Sequence, residues 1–595
     1  MTAALAAGIT ACSDDHFDIS SDVLGTKTIW QNIQSSQNLS EFADILQNVK
    51  YSTSEDKTTP ETYADLLNGD QTFTVWAPAN GTFNYSYYKG LLQSGVRDSI
   101  YKVETELIRN NMTRYAQVLN GKDSVKLDLF NSKSAWFNHD KGTLKGKKLT
   151  TPNIGSSNGV LHVIEGAVDY QPNLYEFLAS RPDLDSINTF IKKFQKIEFN
   201  EHASTQGPTV DGKVTWVDSV TSIANDYTRS FLDAYLNRED SNYVMVIPTN
   251  KAWTETLDKT KAYFHYKNSY KQDINTQTEQ GADTVLSGTE TRFSEAELDS
   301  IINLRCKNAI CQNLVFNANW QYERVPITTL KDVANADSIK STAGMKFKKP
   351  GTLNASNKEN CVEADFNTIF GNNTPIELSN GYAFVVDEFT YPTTVFAPKY
   401  DLSPMQIYDS SDNQCVFSSN TRTYTRDLDG QPLDSIYQLS NFVMGAKTAT
   451  SHPGSFFKLR NMLSCKYDIY VVISYNTQDL LPNKFRAYLS FDDELKRYEN
   501  QALKNPSEDA VDASGSSIAG TNYFVNRPPH YDENGKYCFT DTVLIAKDFE
   551  FPVCYQGLNN AFPILQLKSN FTTKEKSLYS REIWVNAIIV KAKEW

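Results

Sequence analysis

"FTVWAPANGTF", residues 73–83, and "VMVIPTNKAW", residues 244–253, carry nearly the same message in distant parts of one chain. In each, an apolar run meets a proline, then an asparagine, then an aromatic residue. Phe73, Val75 and Ala77 alternate with Thr72, Thr74 and Trp76, which is the period of a strand. Pro78 has no N–H and stops the ladder, and Asn80 can cap a following helix whose Phe83 turns inward. In the second copy Val244 to Ile247 form the strand, Pro248 stops it, Asn250 caps and Trp253 packs.

More of the chain repeats around these stretches. "NLSEFADILQNV" (38–49) puts Leu39, Phe42, Ala43, Leu46 and Val49 on one helical face, with Asn38 and Glu41 at capping-box spacing. "NLYEFL" (173–178) repeats the helix start through Asn173, Leu174, Glu176 and Phe177. Asp-Ser-Ile recurs at 98–100 and 299–301, each time opening an apolar, helical stretch. Each unit closes alike, with "SSNGVLHVIEGAV" (156–168) and "LSNGYAFVVDEFT" (378–390). Asn-Gly is a strong hairpin signal because both residues tolerate positive φ. The pattern predicts tandem units of the same order: helix, strand-Pro-Asn, helix, hairpin, strand.

These residues resemble the fasciclin domain family. The first stretch is similar to the family's first homology box, close to T-V-F-A-P-T-N-x-A-F, and "NGVLHVIEGAV" to its second, N-G-V-I-H-V-I-D. The match rests on Pro78, Asn80, Phe83, Asn158, Gly159 and His162 in the first copy. The second copy keeps Pro248, Asn250, Trp253, Asn380, Gly381 and Asp387, but has Phe384 where the histidine would stand. A Tyr-His pair common between the boxes has no histidine in "RNNMTRY" (109–115) or "CQNLVFN" (311–317). The resemblance implies an α+β fold, a wedge of strands with packed helices, and an adhesion or interaction role without catalysis. It also makes the box residues structural. It covers domains at 31–170 and 171–392, the second with insertions, among them the loop "QDINTQTEQGADTVLSGTE" (272–290).

Residues 393–595 read differently. "YDIYVVISYN" (467–476), "KFRAYLSF" (484–491), "DTVLIAKDFEFPV" (541–553) and "SREIWVNAIIVKAK" (580–593) are strand signals with little helical periodicity. They predict an antiparallel β-sandwich, jelly-roll-like. "NPSEDAVDASGSSIAGTN" (505–522) reads as an exposed loop, and Tyr523, Phe524, His530 and Tyr531 beside it are candidates for stacking on sugar. The alternative for these four is packing beneath the loop. "RDLDGQPLD" (426–434) is better read as an Asp-Gly hairpin turn than as a calcium loop.

At the other end, "MTAALAAGITAC" is a short apolar run ending at Cys12. It resembles a lipoprotein signal peptide over 1–11, with Cys12 as lipid attachment and a tether over 12–30. Ser13, Asp14 and Asp15 resemble the export signal of Bacteroidota-type surface lipoproteins. Asp-(Ser/Thr)-aliphatic triplets at Asp98, Asp123, Asp185, Asp218, Asp283, Asp299, Asp337, Asp434 and Asp541 resemble the O-glycosylation motif of such envelope proteins, or serve as helix caps.

The formal net charge is −13 and no basic run is present, which disfavours nucleic acid as a partner. After Cys12 seven cysteines remain without a CxxC spacing, and buried free thiols are the expectation for most. The seven histidines form no HExxH, and no GxSxG or phosphate-cradling glycine loop occurs, so no catalytic residue, metal or cofactor is expected. The layout resembles accessory lipoproteins of SusC/SusD-type uptake systems. It implies an outer-membrane, lipid-anchored protein facing the exterior, beside a transporter complex and binding a glycan or protein. The alternatives are an adhesin working through its fasciclin faces and, more remotely, a glycan hydrolase.

Overall fold

The computed structural model of the chain describes residues 25–593 apart from 55–56, 200, 202–204, 211, 219–220, 268–292, 318–337, 351–360, 372, 398–399, 428, 477–479, 534 and 557–561. Cys12, Ser13, Asp14, Asp15 and the 272–290 stretch lie outside the described residues. Among the described residues no helix is long and apolar enough to cross a membrane.

The two quoted stretches become strands Phe73–Pro78 and Tyr243–Pro248, each buried along its whole length. Each runs parallel to the strand that opens with the glycine of Asn-Gly. Phe73 stands opposite Gly159 and Pro78 opposite Ile164; Tyr243 stands opposite Gly381 and Pro248 opposite Val386. The outer neighbours match too: Met112–Arg114 and Val315–Asn317 on one side, Lys147–Ser156 and Ile376–Leu378 on the other, all antiparallel. Strands buried on both faces need no polar alternation. So Trp76, expected opposite the apolar side, is fully buried in a smaller core with Phe137, Leu144 and Ile164, while Phe73, Val75 and Ala77 face the main core.

The Asn-Gly pairs do close tight hairpins, but the turn residues are Ser157-Asn158 and Ser379-Asn380, and glycine is the first strand residue. Glycine is required by close approach. A Cβ on Gly159 (φ 135°) would lie 1.8 Å from the Phe73 carbonyl oxygen, and one on Gly381 (φ 146°) 1.9 Å from that of Tyr243.

The asparagines tie strands to helices. Asn158 Oδ1 accepts from the Ile29 amide at 2.9 Å, and its amide donates to the Leu67 and Gly69 carbonyls. Asn380 does the same to Leu174, Leu236 and Arg238. Asn80 does not cap the helix after it; Asn84 does, at Tyr85–Gln93. Asn80 reaches back to accept from the Glu41 amide, and Asn250 accepts from the Ser186 amide. Each thereby caps the earlier helix of its own unit, Ser40–Asn48 or Asp185–Lys192, satisfying an orphan N–H that Asn38 was expected to serve. The helix repeat is therefore out of phase with the sequence repeat. Asn173 and Glu176 do form a capping box, but their helix Leu174–Ser180 corresponds to Ile29–Ser35, not to "NLSEF". Asp299 lies inside helix Glu295–Cys311, which opens instead at Ser294.

Lys133 joins the two units. It is 3% exposed and donates to Glu176 at 2.5 Å, Glu239 at 2.6 Å and Ser379 at 3.2 Å.

The C-terminal region is a sandwich of two six-stranded sheets, all pairings antiparallel. One sheet orders strands Cys415–Arg426, Pro432–Ala446, Ile583–Ala592, Lys466–Ser474 and Thr540–Glu550, with a sixth, Tyr400–Leu402, also paired to Ile583–Ala592; we call it the Trp584 sheet. The other, the Gln566 sheet, orders Tyr408–Ser411, Gly454–Lys458, Ile564–Ser569, Lys484–Asp492 and Arg497–Ala502, with a sixth, Phe524–Val525, also paired to Lys484–Asp492. The Asp427–Gln431 turn closes the long hairpin of the first sheet. The sandwich core does not stop at residue 393. Tyr263, Phe264, Tyr266 and Cys306 pack into it. Helix Glu295–Cys311 thus sends Cys306 into the sandwich and Cys311 into the second unit. Among the described residues six cysteines are free thiols, five of them buried.

Candidate functional site

The side chains of the Gln566 sheet alternate. Phe457, Leu565, Leu567, Phe485, Ala487 and Leu489 point inward and are fully buried. Period two therefore sends Phe456, Gln566, Lys568, Arg486 and Tyr488 to the outer face, where all five are half-buried. Register sets their arrangement. Ser410, Phe456, Gln566 and Tyr488 stand in one row across four strands. Neighbouring strands lie about 4.8 Å apart, so the backbones carrying the two rings are separated by about 10 Å with the amide between them.

The next row is Gly454, Lys568 and Arg486. Gly454 makes the floor. A Cβ there would lie 2.7 Å from Asp412 Oδ2 and 3.4 Å from Gln566 Nε2, so both polar groups gather above the bare backbone. Lys568 stands 3.6 Å from Asp412 Oδ2, and Asp412 Oδ1 accepts from the Gln414 amide at 3.0 Å. Asp412 Oδ2 and Arg486 Nε are buried atoms without a hydrogen-bond partner among the described residues. Leaving such groups unpaired costs about 1–3 kcal/mol each. At one end of the face Lys484 donates to Glu575 at 2.7 Å and lies 4.6 Å from the Tyr523 ring centre.

The four candidates near the long loop are not brought together. Tyr523 borders this face through Lys484. Phe524 is fully buried and stacks on Phe485 with ring centres 5.6 Å apart, so it is a core residue and not a ligand platform. His530 and Tyr531 form a separate short hairpin. The Tyr531 hydroxyl donates to Asp427 at 2.6 Å, at the turn of the other sheet. The residues that do converge, Phe456, Gln566, Arg486 and Asp412, lay unremarked in the sequence. "GSFFK" and "ILQLKS" show the right alternation, but nothing local says which strands are neighbours.

Among the box residues, Pro78 and Pro248 end their strands, Phe83 is half-buried against the first core, Trp253 is buried and Asp387 is exposed. His162 is fully buried, stacked on Trp76 with ring centres 5.6 Å apart. Its Nδ1 accepts from the Asn153 amide at 3.1 Å and Nε2 faces the Gln117 carbonyl at 2.9 Å, which assigns the neutral Nε2–H tautomer. Burial pulls its pKa down to about 4. A histidine depressed from 6.5 stabilises the fold fully above pH 6.5, and that contribution drains away as pH falls toward 4. His162→Phe, the residue type found at the matching Phe384, is expected to flatten the loss of stability between pH 6.5 and 4, read by denaturant unfolding at several pH values. An unchanged slope would contradict this.

Among the described residues no group of three or more His, Cys, Asp or Glu side chains gathers as a metal site requires.

No family model and no curated protein matches the chain. Among solved structures it is similar to a FAS1 domain pair from the insect cell adhesion molecule fasciclin I, at 11% identity and TM-score 0.19, covering 62% of this chain and 97% of that one. It is also similar to TmCBM27, a carbohydrate-binding module described for specific mannan recognition, at 8% identity and TM-score 0.18, covering 33% and 95%. A family 11 carbohydrate-binding module from Clostridium thermocellum, in complex with a β-1,3-1,4-mixed-linked tetrasaccharide, gives 8% identity and TM-score 0.16, covering 33% and 95%. All three scores are low, so the architecture and the site stand on this chain's own geometry.

Proposed function

We propose that this chain is a non-catalytic binding protein that holds a saccharide across the outer face of the Gln566 sheet. The row Phe456–Gln566–Tyr488 carries the reading. A sugar ring presents apolar C–H faces that stack on aromatic rings, and hydroxyls at its edge that need both donors and acceptors. The row supplies two rings and an amide of both kinds, and Lys568 and Arg486 add cationic donors in the next row. Placed polar groups on a half-buried apolar surface fix orientation.

Titration calorimetry against a panel of soluble hexasaccharides, neutral and uronic, tests this. Tyr488→Ala is expected to weaken the best binder at least tenfold, about 1.4 kcal/mol. Tyr531→Ala is expected to change nothing, and the saccharide is recovered intact. Binding indifferent to Tyr488→Ala, or cleavage of the saccharide, would overturn the reading.

The reading extends to attachment through Cys12 at the exterior of an outer membrane, accessory to a SusC/SusD-type transporter. What supports this is the sequence around Cys12 alone. Cys12→Ala is expected to move the chain from the membrane to the soluble fraction; retention in the membrane would contradict it.

A further inference from the structure

A second concavity lies far along the chain from the sandwich, where the first unit meets the second. It is a cleft of about 730 Å³. Junctions between packed units are common places for ligand sites. Helix Tyr85–Gln93 contributes Tyr87 and Tyr88, whose rings meet edge-on with centres 5.1 Å apart. The connector between the units contributes Tyr170. Tyr87 is 42% exposed, an accessible platform at the mouth.

Each charge that lines the cleft has a partner of opposite sign. Lys102 lies 3.7 Å from Glu106, and Lys147 lies 3.0 Å from Asp169. Glu176 is taken by Lys133 at 2.5 Å from behind the wall. Among the described residues no lysine of the lining is left to recruit a phosphate or sulfate, and no carboxylate to recruit an amine. Burial pushes the Tyr88 phenol up to about 12 and raises that of Tyr170 too, so both stay neutral hydroxyls at any physiological pH. What the cleft offers is aromatic surface, neutral hydroxyls and charge-paired groups.

We propose that this junction cleft is a second binding site, for an uncharged saccharide, independent of the sandwich face. Its lining includes Glu176, which Lys133 holds from behind the wall. Its rim includes Ala179, a small exposed residue in helix Leu174–Ser180 where a large side chain can block entry without touching either core.

The test uses the full chain carrying Tyr488→Ala, so that the sandwich face is disabled. Cellohexaose, mannohexaose, xylohexaose and maltohexaose are titrated in by calorimetry, before and after Ala179→Trp is added. The expected result is that at least one of the four still binds with a stoichiometry of one, and that Ala179→Trp weakens it at least tenfold while the melting temperature stays put. Tyr87→Ala is expected to weaken the same binding without closing the cleft. Absence of binding in the Tyr488→Ala chain would overturn the proposal. So would binding that persists unchanged with Ala179→Trp. If the wild type binds as well as the Tyr488→Ala chain and both lose binding with Ala179→Trp, the cleft stands and the sandwich-face reading falls.

Discussion

Gly159→Ala and Gly381→Ala are each expected to destabilise their unit by at least about 4 kcal/mol, and to leave little folded protein at 37 °C. The cause is the parallel strand pair at the centre of each unit. An added Cβ would sit 1.8 Å from Phe73 O or 1.9 Å from Tyr243 O, well inside contact distance. The obstacle is backbone, which cannot rotate aside, so the strands must part. Parting them loosens Phe73–Pro78 from Gly159–Ile164 along their whole register, and with it the central strands of a close-packed core. Positive φ adds strain on top of the clash. Gly515→Ala supplies the contrast. Gly515 has φ 84° and no atom of the described residues within 4 Å of its would-be Cβ, so only the conformational penalty of about 1–2 kcal/mol applies. Calorimetric unfolding of the three variants checks this, and equal effects at Gly159 and Gly515 would contradict it.

Glu104→Ala is expected to cost the first unit about 3–5 kcal/mol. Glu104 is fully buried. Its Oε1 accepts from the Ser52 amide at 2.9 Å, the Tyr63 hydroxyl at 2.7 Å and Arg109 Nη2 at 2.6 Å, and its Oε2 from the Ser52 hydroxyl at 2.5 Å. Truncation strands the largely buried Arg109 guanidinium without a counter-charge and takes the acceptor from three further donors, the Ser52 amide, the Ser52 hydroxyl and the Tyr63 hydroxyl. The penalty is desolvation left uncompensated, which exceeds what the pair contributes over an apolar replacement. The nearby Lys102–Glu106 pair, at 3.7 Å and with Lys102 half in water, is the control: Lys102→Ala is expected to cost under about 1 kcal/mol. Denaturant unfolding separates the two, and comparable losses would contradict the account.

The repeat is legible in the sequence because its constraints are local. Pro78 and Pro248 each end a strand whose apolar run is visible before them, and a glycine facing a backbone oxygen admits no other residue. The parallel pairing of the two boxes is not local, and neither is the reach of Asn80 and Asn250. Both asparagines look like caps for the next helix along the chain. They serve helices some 40 and 64 residues earlier, because the strand ends lie beside those helices in space. "NLSEF" and "NLYEF" look like equivalents and are not. A capping pattern marks any helix start, and the asparagines from the boxes reveal which start is which.

The sandwich shows the same division. Its long strands announce themselves by alternation, and so does the Asp-Gly turn. Its candidate site does not, because Phe456, Gln566 and Tyr488 come from strands far apart in the chain that meet only through register. The aromatic cluster at 523–531 stands out by composition. Alternation then sends Phe524 into the core, and a hydrogen bond to Asp427 holds Tyr531 at the turn of the other sheet.

The most direct test of the sandwich-face reading is a hydrogen-exchange map of the full chain with and without the best-binding hexasaccharide. Added protection is expected in Gly454–Lys458, Ile564–Ser569 and Lys484–Asp492, with none in the Cys415–Ala446 hairpin. Protection on that hairpin, or none anywhere in the sandwich, would contradict it.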